Sequence, residues 1–289
     1  MEKPEAVLID GEPVAAEEAS VSVLERGFHY GDGLFETIAC EAGRPRLLER
    51  HLQRLRGGCE RLGLAVPTPA VLEEELAGIA HGTSRAIVKL FLTRGSAVMR
   101  GYGLTGRERP TRVALRYPWP GLDESAQEQG IRVRLASLRL GENPALAGIK
   151  HCNRLEQVLA RREWTDPKIA EALLFSSSGA LVSGIASNVF LVCDSKLVTP
   201  LLDRCGVAGV MRGLVLDIAA ATGLCAQERR LDAADLEQAD ELFLTNALTG
   251  IRPVRELEGA QRPAGPLTRQ LQRELAAHLA MRGAEAGRG

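Results

Sequence analysis

The stretch "AGIKHCNRLEQVLARREW", residues 147–164, places a lysine at the end of an apolar run and directly before a segment rich in helix formers. Lysine is the rarer cation in this chain, because only five of its 36 basic residues are lysines. A lysine amine held in a low-dielectric site has a lowered pKa and can form a Schiff base with an aldehyde. Lys150 is therefore a candidate for covalent chemistry, and the alternative is a solvated loop lysine.

The residues after Lys150 predict where it lies. Asn153 and Glu156 have the spacing of a capping box, which predicts a helix that starts at Arg154. Lys150 then lies in the short connection between a strand and that helix, a common setting for reactive side chains. The apolar residues of the helix, which we expect on its buried face, are Leu155, Val158 and Leu159.

The composition is that of an ordinary globular protein, with 289 residues of which 45% are hydrophobic and 25% charged. A net charge of −1 gives no reason to expect nucleic acid or a membrane surface as a partner. The N-terminus lacks a basic region followed by an apolar core, and no apolar run reaches the roughly 18 residues of a membrane span. We therefore expect a cytoplasmic protein whose main partner is neither nucleic acid nor a membrane.

The cysteines and histidines do not indicate a metal site. The chain has six cysteines without a Cys-x-x-Cys pair, and its five histidines are dispersed. Scattered cysteines of this kind are most often small buried side chains of a protein in a reducing compartment. We expect neither disulfides nor a bound metal.

The order of predicted elements indicates two mixed α/β domains, 1–118 and 130–289, joined by a polar linker over 119–129 that is rich in Pro and Gly. In the first domain we predict a hairpin about the Asp-Gly turn of "AVLIDGEPV", helices in "LLERHLQRLRGGCERLGL" and "PAVLEEELAGIAHG", and strands in "SRAIVKLFLTRG" and "TRVALRYPW". The apolar residues of the first helix have the spacing of one helical face, namely Leu48, Leu52, Leu55, Cys59 and Leu62. In the second we predict strands in "IRVRLASLRL", "EALLFSS", "ALVSGIASNVFLV", "KLVTP" and "ADELFLTNALTG", and helices in "GVAGVMRGLVLDIAAATGL" and "PLTRQLQRELAAHLAMRG". We expect the third of these strand segments to be broken in two at Gly184.

An enzyme that uses pyridoxal phosphate through a Schiff-base lysine also needs an anchor for the phosphate dianion and a partner for the pyridine nitrogen. The segment "GVAGVMRG", residues 206–213, offers such an anchor. Its glycines allow close approach to the backbone, and the N–H groups of Val210 and Met211 would open a helix whose dipole favours an anion. Many helices begin after a glycine, so this signal is weak by itself.

Seven segments occur in the order seen in class IV pyridoxal-phosphate-dependent enzymes, and the chain resembles this family over nearly its whole length. The family includes branched-chain and D-amino-acid aminotransferases and 4-amino-4-deoxychorismate lyase. The segment "KHCNRLEQVLAR" together with "TNAL" looks most like the lyase. The segments are "ERGFHYGDGLFETI" (25–38), "HLQRL" (51–55), "TRGSAVMRGYG" (93–103), "KHCNRLEQVLAR" (150–161), "ASNVFLV" (186–192), "GVAGVMRG" and "ADELFLTNAL" (239–248).

The resemblance implies roles for particular residues around the cofactor, pyridoxal 5′-phosphate. Lys150 would carry the Schiff base and later move the proton. Arg54 in "HLQRL" would bind the phosphate, although by itself it is one of several arginines expected on a solvated helix face. The other residues that the resemblance places at the cofactor are Val210 and Met211, through their N–H groups to the phosphate, and Asn246 and Ala247 at the same end.

The resemblance also implies a substrate pocket. Tyr30 and Phe35 would shape it. Arg94, Arg100 and Tyr102 lie in the segment in which the family handles substrate carboxylates. The alternative is that Arg94 and Arg100 are ordinary charges of a surface loop.

Ser183 is the one clear departure from the family pattern. The family usually pairs the pyridine nitrogen with a glutamate just before a glycine, and this chain has Ser183 at that place in "LVSGIASNVF". A carboxylate keeps the nitrogen protonated, whereas a hydroxyl only donates a hydrogen bond to it or accepts one without fixing its charge. The weaker electron sink should favour a lyase over an aminotransferase. Alternatively, another carboxylate, with Glu171 nearest in sequence, does the work of the missing glutamate.

Together these observations predict an α/β (α+β) fold of the two-domain class IV type, with the cofactor in a cleft between the domains and the lysine in the larger C-terminal domain. The resemblance further implies a homodimer. The predicted activity is elimination of pyruvate from 4-amino-4-deoxychorismate to give 4-aminobenzoate for folate synthesis. The alternatives are a branched-chain or D-amino-acid aminotransferase and a non-catalytic binding protein of the same fold.

Overall fold

A computed structural model describes residues 3–121 and 125–285, with side chains up to residue 281. The chain divides into two compact units, Met1–Leu122 with Ile149–Arg154, and Asp123–Gly148 with Leu155–Gly289. Part of the predicted linker, residues 122–124, lies outside the described residues, as do both ends of the predicted domains, 1–2 and 286–289. No helix in the described part of the chain has an apolar stretch long enough to cross a bilayer.

The first unit is a sheet with helices. Its strands are β1 (Ala6–Ile9), β2 (Glu12–Val14), β3 (Gly33–Glu41), β4 (Arg44–Pro45), β5 (Arg85–Thr93) and β6 (Thr111–Pro118), and its helices are α1 (Arg26–Tyr30), α2 (Leu48–Leu62) and α3 (Pro69–Ala80). The described strands form one sheet in the order β2-β1-β6-β5-β3-β4. The predicted hairpin, both long helices and two of these strands are thereby confirmed, whereas α1 and β3 were not predicted.

The β1–β2 hairpin follows from its two-residue turn. Ile9 pairs with Glu12, so Asp10 and Gly11 form the turn with φ of 53° and 93°. Positive φ at both positions is the geometry that Asp-Gly adopts readily and that matches the twist of antiparallel strands. The turn therefore sets the register of the first two strands.

The alternation of β3 sorts its side chains onto two faces. Leu34, Glu36 and Ile38 are buried, whereas Phe35 and Thr37 between them are half-buried. On the buried face lie the apolar residues of α2 that the periodicity predicted, with Leu52, Leu55 and Cys59 almost inaccessible to solvent. Glu36 is therefore an acidic residue at a core position, where its charge requires partners.

The segment Ile149–Arg154 belongs to the first unit, and the prediction that the lysine lies in the C-terminal domain was wrong. The N–H of Phe35 donates to the carbonyl of Lys150 at 3.0 Å, and the N–H of Cys152 donates to the carbonyl of Gly33 at 2.9 Å. These bonds add the segment to the edge of β3. The segment pairs with a strand more than a hundred residues earlier in the chain, although its neighbours in sequence belong to the second unit.

The second unit is a larger sheet flanked by helices. Its strands are β7 (Ile131–Leu140), β8 (Ile169–Ser176), β9 (Leu181–Gly184), β10 (Asn188–Cys193), β11 (Lys196–Pro200), β12 (Ala226–Arg229), β13 (Glu241–Asn246), β14 (Gly250–Leu257) and β15 (Ala260–Gln261), and its helices are α4 (Ala126–Gln129), α5 (Leu155–Arg161), α6 (Val210–Ala221), α7 (Ala233–Gln238) and α8 (Pro266–Glu285). The described strands follow the order β12-β11-β10-β13-β14-β7-β8-β9, with β15 beside β14.

This sheet curls around its own core. Leu181 on β9, Val198 on β11 and Leu244 on β13 belong to one buried apolar cluster although their strands lie far apart in the sheet order. The break predicted at Gly184 is confirmed, because β9 ends there and β10 begins at Asn188. The curl brings β9 close to β10 and β11.

Helix α5 differs from the prediction. It begins at Leu155, and the carboxylate of Glu156 accepts a hydrogen bond from the N–H of Gly141 at 2.7 Å instead of completing a capping box. Its buried residue is Ala160, whereas Leu155, Val158 and Leu159 are 76%, 54% and 50% exposed. The predicted buried face was wrong because periodicity identifies an apolar face but not what covers it.

Candidate active site

Lys150 has the surroundings of a reactive amine. Its Nζ lies 4.3 Å from the ring centroid of Phe35. The backbone N–H of Phe35 also donates to the carbonyl of Lys150. Burial, together with the nearby Arg54, lowers the pKa of Lys150 to about 8. Within the described part of the chain the structure records no hydrogen bond to Nζ. The solvated loop lysine considered as an alternative does not fit these surroundings.

A second amine lies on the same face of the sheet. Lys89 Nζ is 5.3 Å from the Phe35 ring centroid and 4.7 Å from that of Phe91, and the two rings stack at 5.9 Å. Burial also lowers the pKa of Lys89. The sequence did not single out this residue, and its place two residues before Phe91 on a half-buried strand face is the signal that was available.

Arg54 belongs to a buried network with Glu36 and His51. Its Nε donates to Glu36 Oε1 at 2.8 Å, and its Nη2 donates to Glu36 Oε2. His51 Nδ1 lies 2.6 Å from the same Oε2. Burial alone would raise the pKa of Glu36, but Arg54 and His51 outweigh it and hold that pKa at about 2. The face of α2 that carries Arg54 is thus turned to the sheet. The alternative, in which Arg54 lies on a solvated helix face, does not fit this contact.

Arg94 does not have the surroundings of a substrate-binding arginine. It forms a bidentate pair with Asp32, through Nε at 2.8 Å and Nη2 at 3.1 Å. The same guanidinium donates to the carbonyls of Leu62 and Gly63 at the end of α2. All three nitrogens therefore hold the first unit together, and the prediction that Arg94 binds a substrate carboxylate does not fit this arrangement.

Three of the predicted substrate residues, Tyr30, Arg100 and Tyr102, lie around an exposed loop. Tyr102 is 83% exposed and Arg100 is also exposed. The rings of Tyr30 and Tyr102 lie 5.1 Å apart, and the Tyr30 hydroxyl donates to the carbonyl of Gly101 at 3.4 Å. Arg26 fixes the loop by donating to the carbonyls of residues 101–103. The structure thus brings Tyr30 and Tyr102 together.

In the second unit, α6 begins at Val210, so the N–H groups of Val210 and Met211 belong to its first turn, where backbone donors lack partners within the helix. Asn188 holds the preceding turn, because its Oδ1 accepts from the N–H of Gly209 at 3.1 Å and its Nδ2 donates to the carbonyl of Val207 at 2.9 Å. A Cβ at Gly209 would lie 2.0 Å from Asn188 Oδ1, so this position requires glycine. Sequence reasoning did not identify Asn188 as the residue that shapes the anchor.

Asn246 shapes the loop that contains Ala247. Its Oδ1 accepts hydrogen bonds from the N–H of Leu248 at 3.0 Å and from the N–H of Thr249 at 2.9 Å. This is an Asx-type turn at the end of β13. The expectation that Asn246 and Ala247 line the cofactor stays a prediction, and the structure adds that the amide of Asn246 fixes the loop.

Ser183 and Glu171 lie at the β9–β10 connection, and their roles are different. The hydroxyl of buried Ser183 donates to the carbonyl of Gly184 at 2.8 Å. The Glu171 carboxylate accepts from the N–H groups of Ala172, Ile185 and Ala186 and from the Ser187 hydroxyl, at 3.0–3.2 Å. Burial raises the pKa of Glu171. Both carboxylate oxygens are therefore engaged in holding the turn.

Comparison with known proteins assigns the family. Residues 33–257 match the model of the class IV aminotransferases, and this chain belongs to that family of pyridoxal-phosphate-dependent enzymes. Each unit by itself has groups that fit the cofactor. In the first unit, the half-buried amine of Lys150, with its pKa of about 8, suits an aldehyde, and the half-buried guanidinium of Arg54 suits a phosphate. In the second unit, the glycine-bearing start of α6 suits a phosphate.

The chain is similar to two proteins of known sequence and to a solved structure. It is 33% identical to aminodeoxychorismate lyase of Vibrio harveyi over 89% of this chain and 96% of that protein. A putative branched-chain-amino-acid aminotransferase of Methanocaldococcus jannaschii is 31% identical over 92% of this chain and 93% of its own. The crystal structure of 4-amino-4-deoxychorismate lyase from Pseudomonas aeruginosa matches with 46% identity and a TM-score of 0.88, over 93% of this chain and 97% of that one.

Proposed function

We propose that this enzyme is a 4-amino-4-deoxychorismate lyase that releases pyruvate and leaves 4-aminobenzoate, a precursor of folate. One observation carries the proposal, namely the 46% identity to a solved lyase over nearly the full length of both chains. The alternative is an aminotransferase, and it is favoured by the similarity to the M. jannaschii protein. The uncharged side chain of Ser183 argues for the lyase.

Lys150 is the proposed catalytic residue. When bound, the cofactor would supply an aldehyde that reacts with amines and a ring that withdraws electrons from the adjacent carbon. Because the pKa of Lys150 is about 8, a substantial fraction of its amine is neutral near pH 7.5. That fraction is roughly 200 times larger than for a lysine of ordinary pKa. Nζ would thus hold the cofactor through its aldehyde and, with a substrate bound, would accept a proton from the substrate carbon.

The other groups bind and orient. Arg54 is proposed to hold the phosphate, as are the N–H groups of Val210 and Met211, with Asn246 and Ala247 at the same end. Arg100 and Tyr102 are proposed to meet the two carboxylates of the substrate from their exposed loop. Tyr30 and Phe35 are proposed to shape the pocket, and the half-buried Phe35 keeps water from Nζ on one side.

Ser183 is proposed to face the pyridine nitrogen without fixing its charge. Its O–H is donated to the carbonyl of Gly184, so its oxygen presents only neutral lone pairs to another group. Glu171 is engaged by four donors, which argues against its replacing the missing glutamate. A ring that withdraws electrons less strongly suits the lyase reaction, in which aromatisation of the product provides driving force, better than it suits transamination.

Changing Ser183→Glu should shift the enzyme toward transamination. A carboxylate beside the nitrogen raises the pKa of that nitrogen, and a gain of one pKa unit corresponds to roughly a tenfold effect. We expect about tenfold faster formation of pyridoxamine phosphate with alanine or glutamate, followed by absorbance. In Ser183→Gln the new side chain has the size of glutamate without its charge, so this variant should behave like the wild-type protein. If both variants change alike, or neither changes, Ser183 does not face the nitrogen.

The pKa of Lys150 predicts how cofactor capture depends on pH. The amine must be neutral to attack, so the rate at which the apoprotein takes up pyridoxal phosphate should rise with pH and level off above about 8. An ordinary lysine would give a rate that rises until above pH 10. Stopped-flow absorbance at a series of pH values distinguishes the two profiles, and a continued rise past pH 9 would contradict a lowered pKa for Lys150.

A homodimer in the cytoplasm is part of the proposal. Two groups of exposed apolar side chains support self-association, because the surface of a monomeric protein seldom carries large apolar patches. The first group lies on α5 and comprises Leu155, Val158 and Leu159. The second lies near α1 and its neighbouring loop and comprises Val23, Phe28, Val98 and Met99. The six cysteines are free, which suits a reducing compartment.

The lyase and the aminotransferase are distinguished by comparing rates in one preparation. The cofactor-loaded protein is given 4-amino-4-deoxychorismate in one assay and pairs of amino acids and keto acids in the other. The proposal predicts that 4-aminobenzoate forms, detected by its fluorescence, at least about a hundred times faster than any amino group is transferred, a ratio that reflects nearly 3 kcal/mol between the two barriers. Faster transfer to a keto acid would favour the alternative.

A further inference from the structure

We propose that Glu36 and His51 are positioning residues that hold the Arg54 guanidinium in the orientation needed for the cofactor phosphate, so that the preference of the enzyme for the phosphorylated cofactor depends on them. This inference rests on the proposed function, in which Arg54 binds that phosphate. Neither residue was identified from the sequence.

The three side chains meet because of their places in the fold. Glu36 projects from β3 toward α2. His51 and Arg54 are three positions apart on α2, so they lie on one face of the helix. Glu36 and His51 are both 1% exposed. The side chain of Arg54 is 13% exposed.

Glu36 fixes the plane of the guanidinium. Its two oxygens receive Nε and Nη2 of Arg54, which is the fork geometry that Arg and a carboxylate form best. A buried guanidinium without this carboxylate would carry an uncompensated charge, which is strongly unfavourable. We therefore expect Arg54 to turn toward water when the charge of Glu36 is removed, and so to leave the position in which it meets a phosphate.

His51 in turn fixes Glu36. An ionised carboxylate only accepts hydrogen bonds, so the proton of the neutral imidazole must lie on Nδ1, 2.6 Å from Glu36 Oε2. Burial lowers the pKa of His51, which keeps the ring neutral. Oε2 is then held between the imidazole and the guanidinium. The network as a whole has no net charge, so its role toward the phosphate is one of orientation.

The test compares two ligands that differ only in the phosphate. Dissociation constants of pyridoxal phosphate and of pyridoxal are measured for the wild-type protein and for Glu36→Gln. The amide cannot receive both guanidinium nitrogens, and it offers no charge to keep Arg54 inside. We expect affinity for pyridoxal phosphate to fall roughly 10- to 100-fold, the usual range for a charge-assisted contact, while affinity for pyridoxal changes less than about threefold.

Glu41→Gln is the matched control, because Glu41 lies on the same strand and pairs with Arg46 and Arg85 at a more exposed position. It should leave both constants unchanged. If Glu36→Gln binds pyridoxal phosphate as well as or better than the wild-type protein, Glu36 does not position Arg54 and the inference fails. If the wild-type protein itself does not distinguish the two ligands, the phosphate role of Arg54 fails instead.

His51 supplies a second test in case Glu36→Gln does not fold. Asparagine places an N–H near the position of Nδ1, whereas the amide of glutamine lies further from the backbone, nearer to Nε2. We expect His51→Asn to keep the ratio of the two affinities within about threefold of the wild-type value and His51→Gln to lower it roughly tenfold. Equal ratios in two folded variants would mean that His51 only fills space, and would overturn its positioning role.

Discussion

Replacing Lys150 with alanine is expected to lower turnover by more than about 10³-fold, because no other group of the chain would hold the cofactor covalently and take the substrate proton. The variant should remain folded, since it removes an amine whose charged form is already disfavoured by burial. The measurement combines the rate of 4-aminobenzoate release with the absorbance of the loaded protein and with thermal unfolding. The variant should also fail to retain the cofactor after borohydride treatment.

Two other lysines serve as controls for this prediction. Lys196 is exposed, and Lys196→Ala should behave like the wild-type protein. Lys89 is the nearest rival, because its amine lies beside the same Phe35 ring and also has a lowered pKa. Peptide mapping after borohydride reduction should place the label on Lys150. A label on Lys89, or turnover that survives in Lys150→Ala, would contradict the assignment.

Replacing Arg54 with alanine is expected to affect both stability and cofactor retention. The change removes the guanidinium from the ionised, 1% exposed carboxylate of Glu36, which keeps its hydrogen bond with His51. Breaking a buried pair in this way typically costs about 3–5 kcal/mol in free energy of unfolding. The loss of a charge-assisted contact to the phosphate should weaken retention of pyridoxal phosphate a further 10- to 150-fold, or about 1.5–3 kcal/mol.

Arg56→Ala is the control, because Arg56 lies on the same helix and is exposed. It should change the free energy of unfolding by less than about 0.5 kcal/mol, as surface substitutions usually do. Denaturant unfolding and dialysis of the loaded protein measure the two effects separately. If Arg54→Ala keeps both its stability and its cofactor, the pair with Glu36 neither stabilises the fold nor holds the phosphate.

Much of the fold could be predicted from local patterns. The hairpin follows from Asp10 and Gly11, and the buried stripe of α2 follows from the spacing of Leu52, Leu55 and Cys59. Long-range pairing could not be predicted in this way. The segment around Lys150 joins the first unit through hydrogen bonds with β3, and nothing within the segment specifies that partner.

The candidate site could be predicted only in part, for a similar reason. Lys150 was a candidate from its position in the sequence, and Arg54 was identified only through the family resemblance, whereas their neighbours were not identified. Glu36 does leave a signal, because it stands between Leu34 and Ile38 on the buried face of an alternating strand, where an acidic side chain needs a partner. Arg94 was assigned to the substrate because a loop arginine and a buried structural arginine look alike in sequence until Asp32 and the end of α2 are placed beside it.

The central claim is most directly tested by the products formed from 4-amino-4-deoxychorismate. The protein loaded with pyridoxal phosphate is incubated with the enzymatically prepared substrate, and 4-aminobenzoate and pyruvate are quantified over time beside the Lys150→Ala variant. We predict that the two products appear in a ratio of about one to one, because a single elimination releases both, and that the variant forms neither. Persistence of the substrate with a folded, loaded protein, or transfer of its amino group without release of pyruvate, would contradict the assignment.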